Sequence, residues 1–97
     1  MKYIDWNEKK NLILRLDRDV CFEDVLIAIE EGRVLDIVRH QNIEKYPNQK
    51  IMIIKIRSYA YLVPYVEDEE KIFLKTIIPS RKATRIYILK NNKNEIL

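Results

Sequence analysis

The sequence predicts an α+β fold: two N-terminal helices, an antiparallel sheet of about four strands and a short basic C-terminal helix. Three observations carry this. Phe22, Val25, Leu26 and Ile29 recur at i, i+3, i+4 and i+7, the spacing of an amphipathic helix. Residues 51–56 and 59–66 are rich in β-branched and aromatic side chains, and only Arg57 and Ser58 separate them, which implies a tight antiparallel hairpin. The apolar run 71–78 reads as a further strand. Pro79 ends it, having no N–H for the ladder, and Ser80 is a good N-cap for a helix that follows. Short links imply an antiparallel meander with the helices gathered on one face.

Each element can be justified in order. Residues 1–6 suit a short strand or an extended lead-in. Asp5 stands three residues ahead of Glu8 as in a capping box, with Asn7 as a rival cap. A helix from there to about Leu16 puts Leu12, Ile13 and Leu16 on one face, and Trp6 reads as a core anchor. Residues 17–20 are a polar break. The second helix has Cys21 at its N-cap position, Glu23 and Asp24 in its first turn and Gly32 as its stop. Residues 34–40 alternate loosely as a strand, and 41–49 form a polar loop. The turn at Arg57–Ser58 lacks the Gly or Asn of the usual primed turns. Pro64 inside the next strand implies an edge position or a bulge. The acids 67–70 make a solvated connection. The basic helix runs to about Leu89, and residues 90–97 are polar and frayed.

Ninety-seven residues make one domain, 1–97. No apolar run approaches the length of a membrane span, and no signal-peptide core opens the chain. One cysteine allows no internal disulfide, so a reducing cytoplasm is the simplest home. The net charge of +3 conceals an asymmetry: residues 71–97 carry seven basic groups and one acidic group. A C-terminal third this basic suits a polyanion partner.

The candidate chemistry starts at Ser80-Arg81-Lys82-Ala83-Thr84-Arg85. Cations in the first turn of a helix oppose its dipole, and a stable fold gains nothing from them there. A phosphate flanked by guanidiniums would gain a great deal. Arg81, Lys82 and Arg85 are therefore the leading catalytic candidates, with Arg81 and Arg85 sharing a helix face. His40, the single histidine, is a candidate general base. Lys55, Arg57, Tyr59, Tyr61, Lys75 and Tyr87 are candidate RNA-binding residues, because aromatics mixed with cations on an open sheet hold single strands. The plainer reading is that the tyrosines cover a half-buried sheet. No metal-binding spacing or glycine-rich phosphate cradle is present in the sequence, so neither a metal nor a cofactor is expected. RNA brings its own nucleophile, the 2′-OH, so a protein that aligns it and neutralises the phosphorane can cleave it without a metal.

Three stretches resemble the BrnT family, the toxins of type II toxin–antitoxin pairs. They are Tyr3-Ile4-Asp5-Trp6-Asn7 with Lys10-Asn11, Cys21-Phe22-Glu23-Asp24, and Ser80-Arg81-Lys82-Ala83-Thr84-Arg85. The family pattern runs from an aromatic-Asp lead-in, through a Ser-Phe-Glu-Glu helix start, to a closing Ser-Ala-Arg-Lys-Ala segment. The match spans most of residues 3 to 87 in the right order. The resemblance implies a RelE-like fold, an endoribonuclease that cuts RNA and blocks translation, and a cognate DNA-binding antitoxin as partner. It carries function onto Arg81, Lys82 and Arg85. Cys21 replaces the family's Ser, and Glu67-Asp68 stand where members often have an Arg. That difference favours an alternative: a non-catalytic RNA- or ribosome-binding module acting with a partner protein. A structural interaction protein is the third reading.

Overall fold

The computed structural model describes residues 2–39 and 41–90 and confirms the α+β class. The elements are β1 (Tyr3–Trp6), α1 (Glu8–Arg18), α2 (Phe22–Glu30), β2 (Val34–Arg39), β3 (Gln49–Ile56), β4 (Tyr59–Glu67), β5 (Lys71–Leu74), β6 (Ile78–Pro79) and α3 (Arg81–Thr84). A π-helical turn, Arg85–Leu89, continues α3. The sheet order is β1-β5-β4-β3-β2, with β6 also paired to β4. The antiparallel meander holds for β2 through β5. The mixed sheet departs from the expectation at its edge, where β1 pairs in parallel with β5, Tyr3 against Lys71 and Trp6 against Leu74. Its partner lies more than sixty residues away, so nothing local encodes that orientation.

Local chemistry sets the helix boundaries. Asn7, rather than Asp5, caps α1: its side chain accepts from Lys10 N at 2.9 Å. Asp5 instead accepts from the N–H of Trp6. Gly32 stops α2 as expected. It sits at φ +72°, and the N–H groups of Gly32 and Arg33 reach back to the carbonyls of Ile29 and Ala28, satisfying the last turn. Asp24 closes the start of α2 by accepting from Cys21 N at 3.0 Å.

The sheet is covered on both faces, a correction to the expectation that the helices share one. On the first face Met52, Ile54, Ile56, Val63, Tyr65 and Leu74 meet Leu14 of α1 and Phe22, Val25 and Ala28 of α2. Trp6 packs against this core, its ring stacked on Phe22 at 5.5 Å. On the second face Ile53 and Ala60 meet Ala83 and Ile88 of the C-terminal helix. Complete burial of residues such as Phe22 and Ile54 stabilises by about 1.5–3 kcal/mol each. On α1, Leu12, Ile13 and Leu16 share a face as expected, and that face points to solvent, while Asn11 and Leu14 point inward. Asn11 is there for its hydrogen bonds. It accepts from Phe22 N at 2.7 Å and donates to Glu23 at 2.8 Å, fixing α1 against the start of α2.

Beside the register shift between Val34 and Asp36 in β2, two irregularities shape the sheet. Pro64 lies in the central strand β4, not at an edge. Its carbonyl accepts from Lys75 N, so its missing N–H also faces the gap between β5 and β6. There the register of β4 shifts by one residue, from Tyr65↔Leu74 to Leu62↔Ile78. The bulge expected at Pro64 is therefore in its neighbour. Arg18 donates to the carbonyl of Ile77, within that bulge, at 2.6 Å. The β3–β4 turn has both central residues left-handed, Arg57 at φ 49° and Ser58 at φ 70°, the type I′ geometry. Arg57 also donates from its side chain to the carbonyl of Asp19, tying the hairpin tip to the end of α1.

A left-handed serine is strained, so Ser58→Gly should stabilise the chain by about 1 kcal/mol, a rise in Tm of about 4–8 °C. Gly32→Ala should cost about 1 kcal/mol through its positive φ alone, since no atom lies within 4 Å of the added Cβ. Thermal melts followed by circular dichroism check both. A Ser58→Gly melt at or below the wild-type temperature would contradict the type I′ turn.

Candidate nucleic-acid interface

The C-terminal helix is held on the second sheet face by a closed set of hydrogen bonds. Ser80 caps it, accepting at Oγ from Ala83 N at 3.0 Å. Ser80 N donates to Ala60 O at 3.0 Å. Thr84 is buried. Its hydroxyl accepts from Ala60 N at 2.9 Å and donates to Ser80 O at 2.8 Å. The helix start is thereby pinned to one residue of β4. The segment predicted from sequence as a capped basic helix is placed as expected.

Arg81, Lys82 and Arg85 are exposed, and none makes a hydrogen bond or ion pair among the described residues. Their charge is not consumed by the fold. Lys82 and Ser80 border an open groove of about 290 Å³ between the helix and the sheet. Arg39, Gln41 and Tyr87 complete its polar rim, and Ile51, Ile53 and Leu62 form its floor. Two cations thus face an apolar floor across a space open to solvent. That arrangement suits a phosphate with a sugar or base attached. Tyr87 donates its hydroxyl to Asp36 at 2.7 Å, and this bond, with partial burial and the Asp36 charge, raises its pKa above the ordinary tyrosine value.

The other predicted residues are dispersed. Ile56 pairs with Tyr59 and Ile54 with Tyr61, so both tyrosines lie on the first face, with Val63 and the buried Tyr65. They stack edge to face at 5.7 Å, and Tyr61 packs against the helical core. Lys55 pairs with Ala60 on the opposite face. The mixed basic and aromatic surface expected from sequence does not assemble. Arg57 is engaged with Asp19 at the hairpin tip. Lys75 is exposed beside the Phe73 ring, 5.9 Å from its centre. His40 lies outside the described residues. Of the acids 67–70, Glu67 ends β4 and residues 68–70 form the expected turn. Asp68 Oδ1 accepts from the N–H groups of Glu70 and Lys71, both at 2.8 Å, which lowers its pKa. Glu67 pairs with Lys2 at 2.7 Å and Lys50 at 3.6 Å, and its pKa is lowered, chiefly by the Lys2 hydrogen bond.

Arg39 and Gln41 were not singled out in the sequence, and no local signal marks them, because the groove joins two distant segments. Phe73 was also missed. Lys71, Phe73 and Lys75 alternate in the sequence, and both ammonium groups lie about 6 Å from the ring, at 6.0 and 5.9 Å. That spacing was legible as one strand face. Comparison with protein-family models, curated proteins and solved structures finds no match to this chain.

Tyr87→Phe should lower stability by about 1 kcal/mol through loss of the Asp36 hydrogen bond. That bond raises the folded pKa of Tyr87. Its contribution is therefore complete below the unfolded value of about 10 and is lost as pH rises through the folded value. Tyr65 is raised too, by burial and then by Glu67. Alkaline absorbance titration should show late-titrating phenols in the wild type, with one fewer in Tyr87→Phe. Loss of that phenol from the normally titrating class instead would show that the Asp36 contact does not hold in solution.

Proposed function

We propose that this chain is a metal-independent endoribonuclease toxin of the BrnT-like type, acting in the cytoplasm and held in check by a cognate DNA-binding antitoxin. The observation that carries the reading is the trio Arg81, Lys82 and Arg85. All three are exposed and without an ion pair among the described residues, and they sit on a helix start locked by buried hydrogen bonds. Exposed cations on a fixed helix start, with no acid paired to them among the described residues, fit an external polyanion better than they fit the fold. The order of elements, with two helices, a meander and a basic C-terminal helix, supports the same reading. So does the resemblance in residues 3 to 87.

In this reading the scissile phosphate lies at the mouth of the groove, with Lys82 and Arg39 on either side. The ribose 2′-oxygen attacks phosphorus, the bond to the 5′-oxygen breaks, and a 2′,3′-cyclic phosphate and a 5′-hydroxyl result. The 2′ proton passes to a base or to water, and the leaving oxygen takes a proton from a cation or from water. Lys82 and Arg39, which line the groove, neutralise the extra charge of the phosphorane, where positioned cations accelerate most, and Arg81 and Arg85, beside Lys82 in the chain, hold the flanking phosphates.

A second reading, a non-catalytic RNA-binding module, has a specific observation in its favour. The residues standing where the family often carries Arg are committed to structure: Glu67 to Lys2 and Lys50, Asp68 to its own turn. Tyr87, the tyrosine beside the groove, has its hydroxyl on Asp36.

Expression without a partner should halt growth, and the double variant Arg81→Ala/Lys82→Ala should relieve the arrest while its melt stays at or a few degrees above that of wild type, as expected when two exposed cations leave a helix start. Purified wild type should cut single-stranded RNA in the presence of EDTA. Its RNA affinity should fall with salt, and the double variant should lose about 1.4 from the log–log slope, roughly 0.7 per phosphate contact. Salt-dependent binding without cleavage selects the second reading. A folded double variant that is equally toxic removes Arg81 and Lys82 from the site.

A further inference from the structure

We propose that α1 is a self-association surface, through which two copies of this chain pair with their α1 helices antiparallel. The inference does not rest on the RNA reading. It starts from the inverted amphipathicity of α1. Of the apolar residues in this helix only Leu14 is buried, while Leu12, Ile13 and Leu16 are 53%, 44% and 75% exposed. The inward side is set by polar groups instead: Asn11 on Phe22 N and Glu23, and Arg18 on Ile77 O. Single exposed apolar residues are ordinary on a protein surface. Three clustered on two turns of one helix make a patch that water disfavours.

The charges around the patch identify its occupant. Lys9, Leu12, Ile13 and Leu16 form the outward stripe at helical spacing. Glu8 and Arg15 lie along one flank, and Lys10 and Asp17 along the other. Each flank therefore carries one acid and one base, two turns apart and in opposite order. In an antiparallel pair each flank meets the same flank of the second copy. A two-fold axis between positions 12 and 13 then sets Leu12 against the second copy's Ile13. It sets Glu8 against the second copy's Arg15, and Lys10 against the second copy's Asp17. The two ionic pairings place the axis one residue to either side of that point, a spread of about 3 Å along the helix that their long side chains span. Lys10 and Asp17 have no ion-pair partner among the described residues, and Arg15 has only Glu23, at 3.5 Å. A parallel pair would place Lys9 against the second copy's Lys9 on the axis. The antiparallel pair separates these lysines and lays each stem along the second copy's Leu16. Each ammonium then lies near the second copy's α1 C-terminus, where a cation is favoured. The interface is one short helix from each copy, so the dimer is reversible and concentration-dependent.

Sedimentation equilibrium of the full chain over a range of concentrations tests this. Wild type should show a mass rising from that of one chain toward twice that value. Leu16→Glu should weaken dimerisation by roughly a hundredfold or more, because the buried leucine is lost from both copies. Its circular dichroism melt should change little, as Leu16 is 75% exposed in the single chain. Lys10→Glu and Asp17→Lys should each weaken dimerisation by about three- to tenfold, and the two together should restore it, the mark of a direct pair. A wild type that keeps the mass of one chain at its highest soluble concentration overturns the proposal and gives the patch to a different protein. A Leu16→Glu dimer as strong as wild type overturns the surface. A charge swap that fails to restore affinity overturns the antiparallel register.

Discussion

The second face of the sheet depends on the two backbone hydrogen bonds of Ala60. Its N–H goes to Thr84 Oγ1 and its carbonyl receives Ser80 N, so one residue of the central strand takes both partners from the segment that starts the C-terminal helix. Ala60 is fully buried, and its small side chain lets the helix come that close. From this contact follow the seating of Ala83 and Ile88 on Ile53, the position of Lys82 at the groove and the reach of Tyr87 to Asp36. The contact also resolves an electrostatic difficulty. Three cations near a helix start cost a few tenths of a kcal/mol each. Buried, fully satisfied hydrogen bonds contribute about 1 kcal/mol each and hold the start in place regardless. The helix can therefore carry charges that its own dipole disfavours.

The two faces are linked through the break between β5 and β6. Pro64 cannot donate toward that gap, and the neighbouring chain takes up the mismatch with a one-residue shift. The freed carbonyl of Ile77 is capped by Arg18 from α1, on the first face. The chain then enters β6, whose pairing with Tyr61 and Leu62 delivers Ser80 to Ala60. A proline in the central strand is thus tolerated because the break it needs is also the path by which the chain crosses to the other face. Arg18 sits in the last turn of α1, so the position of the basic helix is not independent of the N-terminal layer.

Much of this was legible in the sequence, for local reasons. The period of α2, the stop at Gly32, the cap at Ser80 and the two-residue hairpin each depend on neighbours a few positions apart. The side of the sheet taken by each helix is not local. Even so, one sign of two covered faces was present. Residues 51–54 are apolar without alternation, the pattern of a strand buried on both sides. The predicted basic and aromatic surface failed on parity. Across a two-residue turn, even positions of β3 share a face with odd positions of β4, so Lys55 and Tyr61 had to lie on opposite sides. The β1 pairing and the groove between Arg39 and Lys82 join segments far apart in the chain. The solvent-facing stripe of α1 was read with its period right and its direction unknown, because amphipathicity alone does not say which side is in.

That direction bears on how the surfaces of the chain are divided. α1 packs by Leu14 and Asn11 onto the first-face layer, so its apolar stripe looks away from the sheet. The exposed cations of the C-terminal helix lie on the other side of the same sheet. An apolar stripe and a cationic groove placed side by side would compete for one partner and repel each other's ligands. Separated by the thickness of the sheet, they do not share a residue. A contact on α1 can then be made without covering Lys82, Arg81 or Arg85. Asn11 is the residue that makes this division possible. By accepting from Phe22 N it gives a polar side chain a reason to be buried beside Leu14, and Leu12, Ile13 and Leu16 are turned outward as the consequence.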